Sequence, residues 1–271
     1  TAAVADFILA EVGLVADRFD TVAVVDWSAS NGPSPAKPSA DAIWIGTAGA
    51  QGETAQYFRT RAEAEAHLSH LIDAEQAAGR RLLIGFDFPM GYPAGFAARL
   101  TGRADPRAVW HWLAQSISDA GNRNNRIAVA EAINASMGGA GPFWGRPASL
   151  PLPHLAETKA VDYAALGLSE RRRVEQQVPR AQPVWKLFTT GSVGSQALMG
   201  LPMIHRLSQR AGTAVWPFDP ITRAPVVLAE VYPSLLAPLV AQAGGIKDAA
   251  QVTLLARAFW RLSQQGALGP L

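Results

Sequence analysis

Thr21-Val22-Ala23-Val24-Val25-Asp26-Trp27-Ser28 is a short β-branched run that ends in an acid, and its reading decides the fold. A continuous apolar run bounded by polar residues suits a strand covered on both faces of a sheet. Strands of that kind present functional groups at their carboxyl ends. An ionised carboxylate placed there is costly unless something pairs with it. The pattern returns in Leu82-Leu83-Ile84-Gly85-Phe86-Asp87-Phe88-Pro89, again with the acid at the end. Two further acids stand late in the chain: Glu230 in Val226-Val227-Leu228-Ala229-Glu230-Val231-Tyr232-Pro233-Ser234, and Asp248 in Gly244-Gly245-Ile246-Lys247-Asp248-Ala249-Ala250. A divalent metal ion would give all four a common purpose.

Outward from the first run, residues 30–39 are too rich in Pro and Ser for regular structure and read as a loop at the mouth of that strand. Residues 42–47 and 54–59 read as two more strands, joined through Gly49-Ala50-Gln51-Gly52, which predicts an antiparallel meander of three. Residues 61–78 follow as an amphipathic helix closed by Gly79, and residues 81–87 as a fourth strand. Between residues 91 and 183 the pattern predicts a helical and loop insertion, with helices at 106–118, 126–135 and 169–178 around the Gly/Pro-rich segment 138–147. Residues 192–210 are helical in pattern, and Gly200 and Pro202 predict a break into two pieces. Strands are expected at 212–216 and 225–232, and helices at 234–243 and 247–264. The last is apolar on one side through Val252, Leu255, Ala256, Phe259 and Leu262. The reading is one α/β domain over residues 1–271 carrying an insertion at 91–183.

With 271 residues, 49% of them apolar, and no uncharged apolar stretch approaching the roughly 20 needed to span a bilayer, the composition is that of a soluble globular chain. The first fourteen residues mix Asp6 and Glu11 with apolar residues and do not resemble a signal peptide, so a cytoplasmic location is expected. The absence of cysteine excludes disulfides and thiolate chemistry. The net charge of +2 conceals an asymmetry: residues 1–98 hold 6 Lys/Arg against 12 Asp/Glu, whereas residues 99–271 hold 18 against 10. A basic half of this kind suits a phosphate backbone or simply solvated helix faces, and Arg171-Arg172-Arg173 is its one dense cluster.

Taken in order, Val24-Val25-Asp26-Trp27-Ser28, Ile84-Gly85-Phe86-Asp87-Phe88-Pro89-Met90-Gly91, Glu230-Val231-Tyr232-Pro233-Ser234 and the Lys247-Asp248 start of a final helix resemble a bacterial family of predicted nucleases with the ribonuclease H-like fold. The resemblance spans residues 19–264. It implies a mixed five-stranded sheet flanked by helices, the first three strands antiparallel. It also implies that Asp26 bridges two Mg2+ or Mn2+ ions, that Asp87 holds one of them, and that Glu230 and Asp248 complete the cluster. Two such ions roughly 3.5 to 4 Å apart clamp the attacking and leaving oxygens of a phosphoryl displacement. Ser28 and Lys247 would then contact the substrate phosphate, of a nucleic acid or a nucleotide-like ligand. Similar bacterial sequences carry a label from molybdopterin guanine dinucleotide synthesis, yet no Gly-x-x-x-x-Gly-Lys-Ser/Thr segment is present to support nucleotide binding of that kind. The same core carries sugar kinases and actin-like ATPases, so an ATP-dependent phosphotransferase and a non-catalytic anion-binding or partner-binding protein stand as rivals.

Elsewhere, Thr189-Thr190-Gly191-Ser192-Val193-Gly194-Ser195 precedes a helix, where backbone amides at Ser192 suit phosphate, with Lys186 and Arg180 as supporting cations. An ordinary capped helix explains the same residues. His67 and His70 lie three apart without a third metal ligand, and His111, His154 and His205 are isolated in sequence.

Overall fold

Residues 18–139, 141–178 and 181–268 are described by a computed structural model. Along the chain the elements are β1 (Thr21–Asp26), β2 (Ile43–Gly49), β3 (Gly52–Phe58), α1 (Arg61–Ala77), β4 (Leu82–Phe86), α2 (Phe96–Thr101) and α3 (Pro106–Ser116). They continue with the short strands β5 (Asp119–Ala120) and β6 (Arg123–Asn124), then α4 (Arg126–Ser136), α5 (Arg173–Gln177), α6 (Gly194–Ser208), β7 (Thr213–Val215) and β8 (Val226–Glu230). A 3-10 turn (Pro233–Leu236), α7 (Ala237–Ala243) and α8 (Lys247–Gln264) follow. Among the described residues two units separate: those within 18–28, 34–87 and 208–268 form the first, those within 29–33 and 88–207 the second.

In the first unit, β1 pairs antiparallel with β2 and β2 antiparallel with β3, while β4, β8 and β7 extend the sheet in parallel on the other side of β1. The order is β3-β2-β1-β4-β8-β7. The sheet therefore has six strands, the number of strand segments in the sequence pattern, where the family resemblance implied five. Thr213–Val215 is only three residues long, but it adds to the outer side of β8 and extends the sheet. The buried run of β1 sits in the middle, as its unbroken apolar pattern demands.

Side chains alternate across the sheet, so Val22 and Val24 face one side and Thr21, Ala23 and Val25 the other. The first side receives α8: Val252, Leu255, Ala256 and Phe259 pack with Val22, Val24, Leu83 and Val227 in one cluster. On the opposite side the buried Glu75 of α1 accepts a hydrogen bond from Thr21 Oγ1 and pairs with Arg80. That helix begins at Thr60 with a capping box closed by Glu63.

Gly46 of β2 sets how closely α8 approaches. A Cβ there would stand 2.5 Å from the carbonyl carbon of Val252 and 2.6 Å from its oxygen. Those are backbone atoms of a seated helix and have no rotamer to yield. Gly46→Ala is expected to lower stability by about 3 kcal/mol through forced displacement of α8. Urea denaturation reads it directly, and an unchanged midpoint would show that the helix does not sit against this strand.

The second unit is organised around aromatic rings: Trp185, fully buried, lies with its centroid 5.2 Å from Tyr92, 5.0 Å from Phe96 and 5.3 Å from Phe143. Buried Asn134 fastens the Gly/Pro-rich segment to α4, donating to the carbonyls of Phe143 and His154 and accepting from the Phe143 N–H. The expected break in residues 192–210 is absent. Helix α6 runs continuously through Pro202, because its neighbours Met199, Leu201, Met203 and Ile204 are buried and hold it together where one ladder bond is missing. Gly200 allows the ring of Phe88 to lie against the helix, where a Cβ would stand 2.2 Å from the Phe88 ring tip. The helix expected at 169–178 shrinks to Arg173–Gln177. Among the described residues no helix is long and apolar enough to cross a membrane.

Candidate active site

β1 and β4 are parallel neighbours with Val25 opposite Phe86, so the next residues on each, Asp26 and Asp87, emerge side by side at the carboxyl ends of the two strands. Neighbouring strands are roughly 4.8 Å apart, which brings the two carboxyl groups into hydrogen-bonding contact. Asp87 is locked in place by backbone: its N–H donates to the Val25 carbonyl (3.2 Å), and its Oδ1 accepts from the Trp27 N–H (2.9 Å). Asp26 shares the face of Val22 and Val24 that lies beneath α8, and that helix reaches it. Gln251 Nε2 donates to Asp26 Oδ2 at 2.8 Å.

The first turn of α8 supplies Asp248, which is buried and accepts the Asp41 N–H at 2.7 Å. Asp41 holds a left-handed backbone, φ 57°, a conformation that aspartate tolerates better than most residues. Its N–H goes to Asp248, and its carbonyl accepts from Ser28 Oγ at 3.2 Å. The Ser28 carbonyl in turn accepts from Arg61 Nη1, a buried cation at the start of α1. The loop after β1 and the start of the last helix are thus tied together beside the acids.

Burial above all, then the negative charges of Asp87 and Asp248, hold the Asp26 carboxyl well above the ordinary carboxylate range, against the pull of the Lys247 ammonium. Asp87 is pushed up to about 7, mainly by burial; the N–H of Trp27 and the hydrogen bond with Asp26 work in the other direction. Two carboxylates in contact cannot both be ionised cheaply, so the pair holds a proton or attracts a cation.

Glu230 stands differently. Its register partner on β4 is Phe86, and Ala229 is opposite Gly85. By alternation Glu230 shares the face of Phe86, whereas Asp87 and Asp26 share the other. The residue of this segment on the face of Asp87 is Val231, whose γ-carbon lies 2.7 Å from where a Gly85 Cβ would be. A one-residue difference in register is what separates an acid in the site from an acid on the back of the sheet.

The four expected ligands therefore do not assemble as one cluster. Among the described residues no group of three or more His, Cys, Asp or Glu side chains is arranged to hold a metal ion. The fold supplies a carboxylate pair, Asp26 and Asp87, with Asp248 and Lys247 contributing charge from the adjoining helix. Such a pair fits Mg2+ or Mn2+ chemically. These hard ions accept one or two carboxylates and leave their remaining positions to water and substrate phosphate oxygens.

Lys186 and Ser192 belong to the second unit. Lys186 Nζ donates to the Thr190 carbonyl (2.8 Å) and to Gln182 Oε1 (3.2 Å), which engages it within its own turn. The Ser192 N–H donates to the Thr189 carbonyl, closing a turn before α6. Arg180 lies outside the described residues. In the basic cluster, Arg171 donates to the Ala181 carbonyl and Arg172 pairs with buried Glu175, so two of its three cations have local structural partners. Trp27 and Trp185 are core residues.

Gln251 and Asp41 are the site residues that the sequence reading missed. Gln251 carried a usable signal: it lies one turn beyond Asp248 and so on the same side of α8. Asp41 had none, since its role depends on a backbone conformation.

No family model matches the chain, and neither a curated protein nor a solved structure matches it.

Proposed function

We propose that this protein is a metal-dependent phosphoryl-transfer enzyme, a phosphodiester hydrolase acting on a nucleic acid or nucleotide-like substrate, on a ribonuclease H-like core. The observation that carries the reading is the contact pair Asp26 and Asp87 at the carboxyl ends of two adjacent parallel strands. The antiparallel meander β1-β2-β3 followed by the parallel β4 supports the choice of core. When bound, Mg2+ or Mn2+ would supply charge neutralisation and activation of a water for attack on phosphorus.

The residues of the chain divide the remaining tasks. Asp26 and Asp87 provide oxygen ligands that burial has stripped of water, which strengthens their attraction for a cation. Gln251 holds the Asp26 carboxylate through one of its oxygens, Oδ2. The Trp27 N–H does the same for Asp87. Lys247, exposed at the start of α8 and close enough to act on Asp26, offers a positive charge to a phosphate oxygen. Ser28 acts through Asp41, as a brace for the loop rather than as a ligand of substrate.

Incubation of the chain with Mn2+ and a panel of bis(p-nitrophenyl) phosphate, single-stranded oligonucleotide and duplex tests the reading. Metal-dependent release of p-nitrophenol or cleavage of the oligonucleotide supports it. ADP formation from ATP without phosphodiester cleavage would replace it with the phosphotransferase. Mn2+ should also raise the melting temperature more at pH 8 than at pH 5, since protons compete for the same carboxylates. Equal rises at the two pH values would place the ion elsewhere.

A further inference from the structure

Two histidines that are isolated in sequence meet in the second unit. His111 is on α3 and His205 on α6, 94 residues apart, with Nδ1 of the first 3.3 Å from Nε2 of the second. Their rings are 5.1 Å apart between centroids and inclined at 66°. Both helices are anchored from behind. On α3, Val109, Trp110 and Leu113 are buried, and the Trp110 indole donates to the Met90 carbonyl at 2.8 Å; on α6, Met203, Ile204 and Leu207 are buried. Packed backbone thus fixes the two Cα positions, and the ring contact between the exposed His111 and the half-buried His205 sets the spacing of their nitrogens.

From this geometry we propose that His111 and His205 form a two-imidazole site for a borderline divalent transition ion of the Zn2+, Ni2+ or Cu2+ class. Zinc to imidazole bonds of roughly 2.0–2.1 Å at a tetrahedral angle place the two nitrogens about 3.3 to 3.4 Å apart. The pair already has that separation. Small rotations of the two rings turn both lone pairs toward one point. In the present contact one ring nitrogen carries the proton and the other accepts it; on metal binding that proton moves to the far nitrogen of its own ring, so both rings stay neutral and coordinate. Burial, together with His111 and Arg206, lowers the pKa of His205, which favours the neutral ring near pH 7. Arg206 also places a positive charge near the ion and sets a limit on its affinity.

Among the described residues no third His, Cys, Asp or Glu completes a site here. The other coordination positions belong to water or to a donor from solution. An open site of this form holds an exchangeable ion and can present it to an external ligand. Imidazole donors of this kind suit Zn2+, Ni2+ and Cu2+, whereas Mg2+ and Mn2+ prefer the oxygens of the carboxylate pair, so the two sites separate by ion class.

Cu2+ alone, titrated into the untagged chain at pH 7.5, tests the proposal. The background is Asp26→Asn, so that the carboxylate pair does not compete. One ion bound per chain is expected, with electron paramagnetic resonance showing hyperfine coupling to two imidazole nitrogens. His111→Ala and His205→Ala should each weaken binding at least about tenfold and remove the two-nitrogen signature. His67→Ala combined with His70→Ala should change neither. No binding, binding that survives the His111→Ala/His205→Ala double variant, or loss on changing His67 and His70 would each overturn it. If His205→Ala fails to fold by circular dichroism, His205→Gln, which keeps the volume and lacks the imidazole, carries the same test.

Discussion

Asp26→Asn is expected to abolish Mn2+-dependent phosphodiester cleavage, a drop of at least about a thousandfold in kcat, while the chain stays folded. The substitution removes one of two adjacent anionic ligands, so the fall should appear in kcat and in the Mn2+ concentration needed for half activity. Its effect on stability has the opposite sign from that of most changes to a buried group. At pH 8, above the value to which Asp87 is raised, an ionised Asp26 has the charges of Asp87 and Asp248 as near neighbours and is repelled by both. Asparagine keeps an oxygen for Gln251 Nε2 and offers an amide to Asp87, in the manner of the protonated acid. Without metal, the variant should therefore melt at or above the wild-type temperature at pH 8 and match it near pH 4. Retained cleavage in a well-folded Asp26→Asn protein would refute the mechanism. Loss of folding would instead show that the carboxylate is structural.

The second large effect is on stability against pH in the absence of divalent metal. Asp87 has its pKa raised in the folded protein from 3.8 to about 7, and that of Asp26 is raised as well. Between those values the native state holds protons that the unfolded chain has released. Stability is thus highest below the unfolded pKa and falls as pH rises from about 4 to about 7, levelling off above the folded pKa. A tenfold change in a proton equilibrium is worth about 1.4 kcal/mol, so the loss attributable to Asp87 is on the order of a few kcal/mol. Urea midpoints at pH 4.5, 6 and 8 measure it, and Asp87→Asn should flatten the profile. A midpoint that rises steadily over this range would mean that the acids are ionised and paired. Metal at saturating concentration should reverse the trend, because a cation removes the repulsion that the released protons leave behind.

The central strands were legible because burial leaves a direct mark on sequence. Val22 to Val25 and Leu82 to Phe86 cannot face water on either side, and both runs formed the strands expected of them. The terminal helix was equally plain: apolar residues at Val252, Leu255, Ala256 and Phe259 repeat at helical spacing, and the element spans Lys247–Gln264. Segments where local signals compete fared worse. Pro202 breaks an isolated helix, but in α6 the buried neighbours outweigh the lost hydrogen bond. The strand expected at 212–216 formed as Thr213–Val215, but strand pattern alone does not say that it pairs with β8 at the edge of the same sheet.

The site divides in the same way. Asp26 and Asp87 follow from the sequence because each ends an apolar run, and parallel strands place such ends together. Glu230 lies inside the strand expected at 225–232, and nothing local says which face it takes; pairing Phe86 with Glu230, not with Val231, puts it on the far face. The meeting of His111 with His205 and the role of Asp41 were invisible for the same reason, since each depends on partners distant along the chain. By itself the sequence determined an α/β chain with acids at the ends of buried strands, because hydrophobic patterning and strand periodicity are local properties. Only the tertiary structure decided which acids share a face, which helix residue holds them and which cations are already engaged. Register and side-chain direction arise from long-range packing, and one residue of slip in either would build a different site.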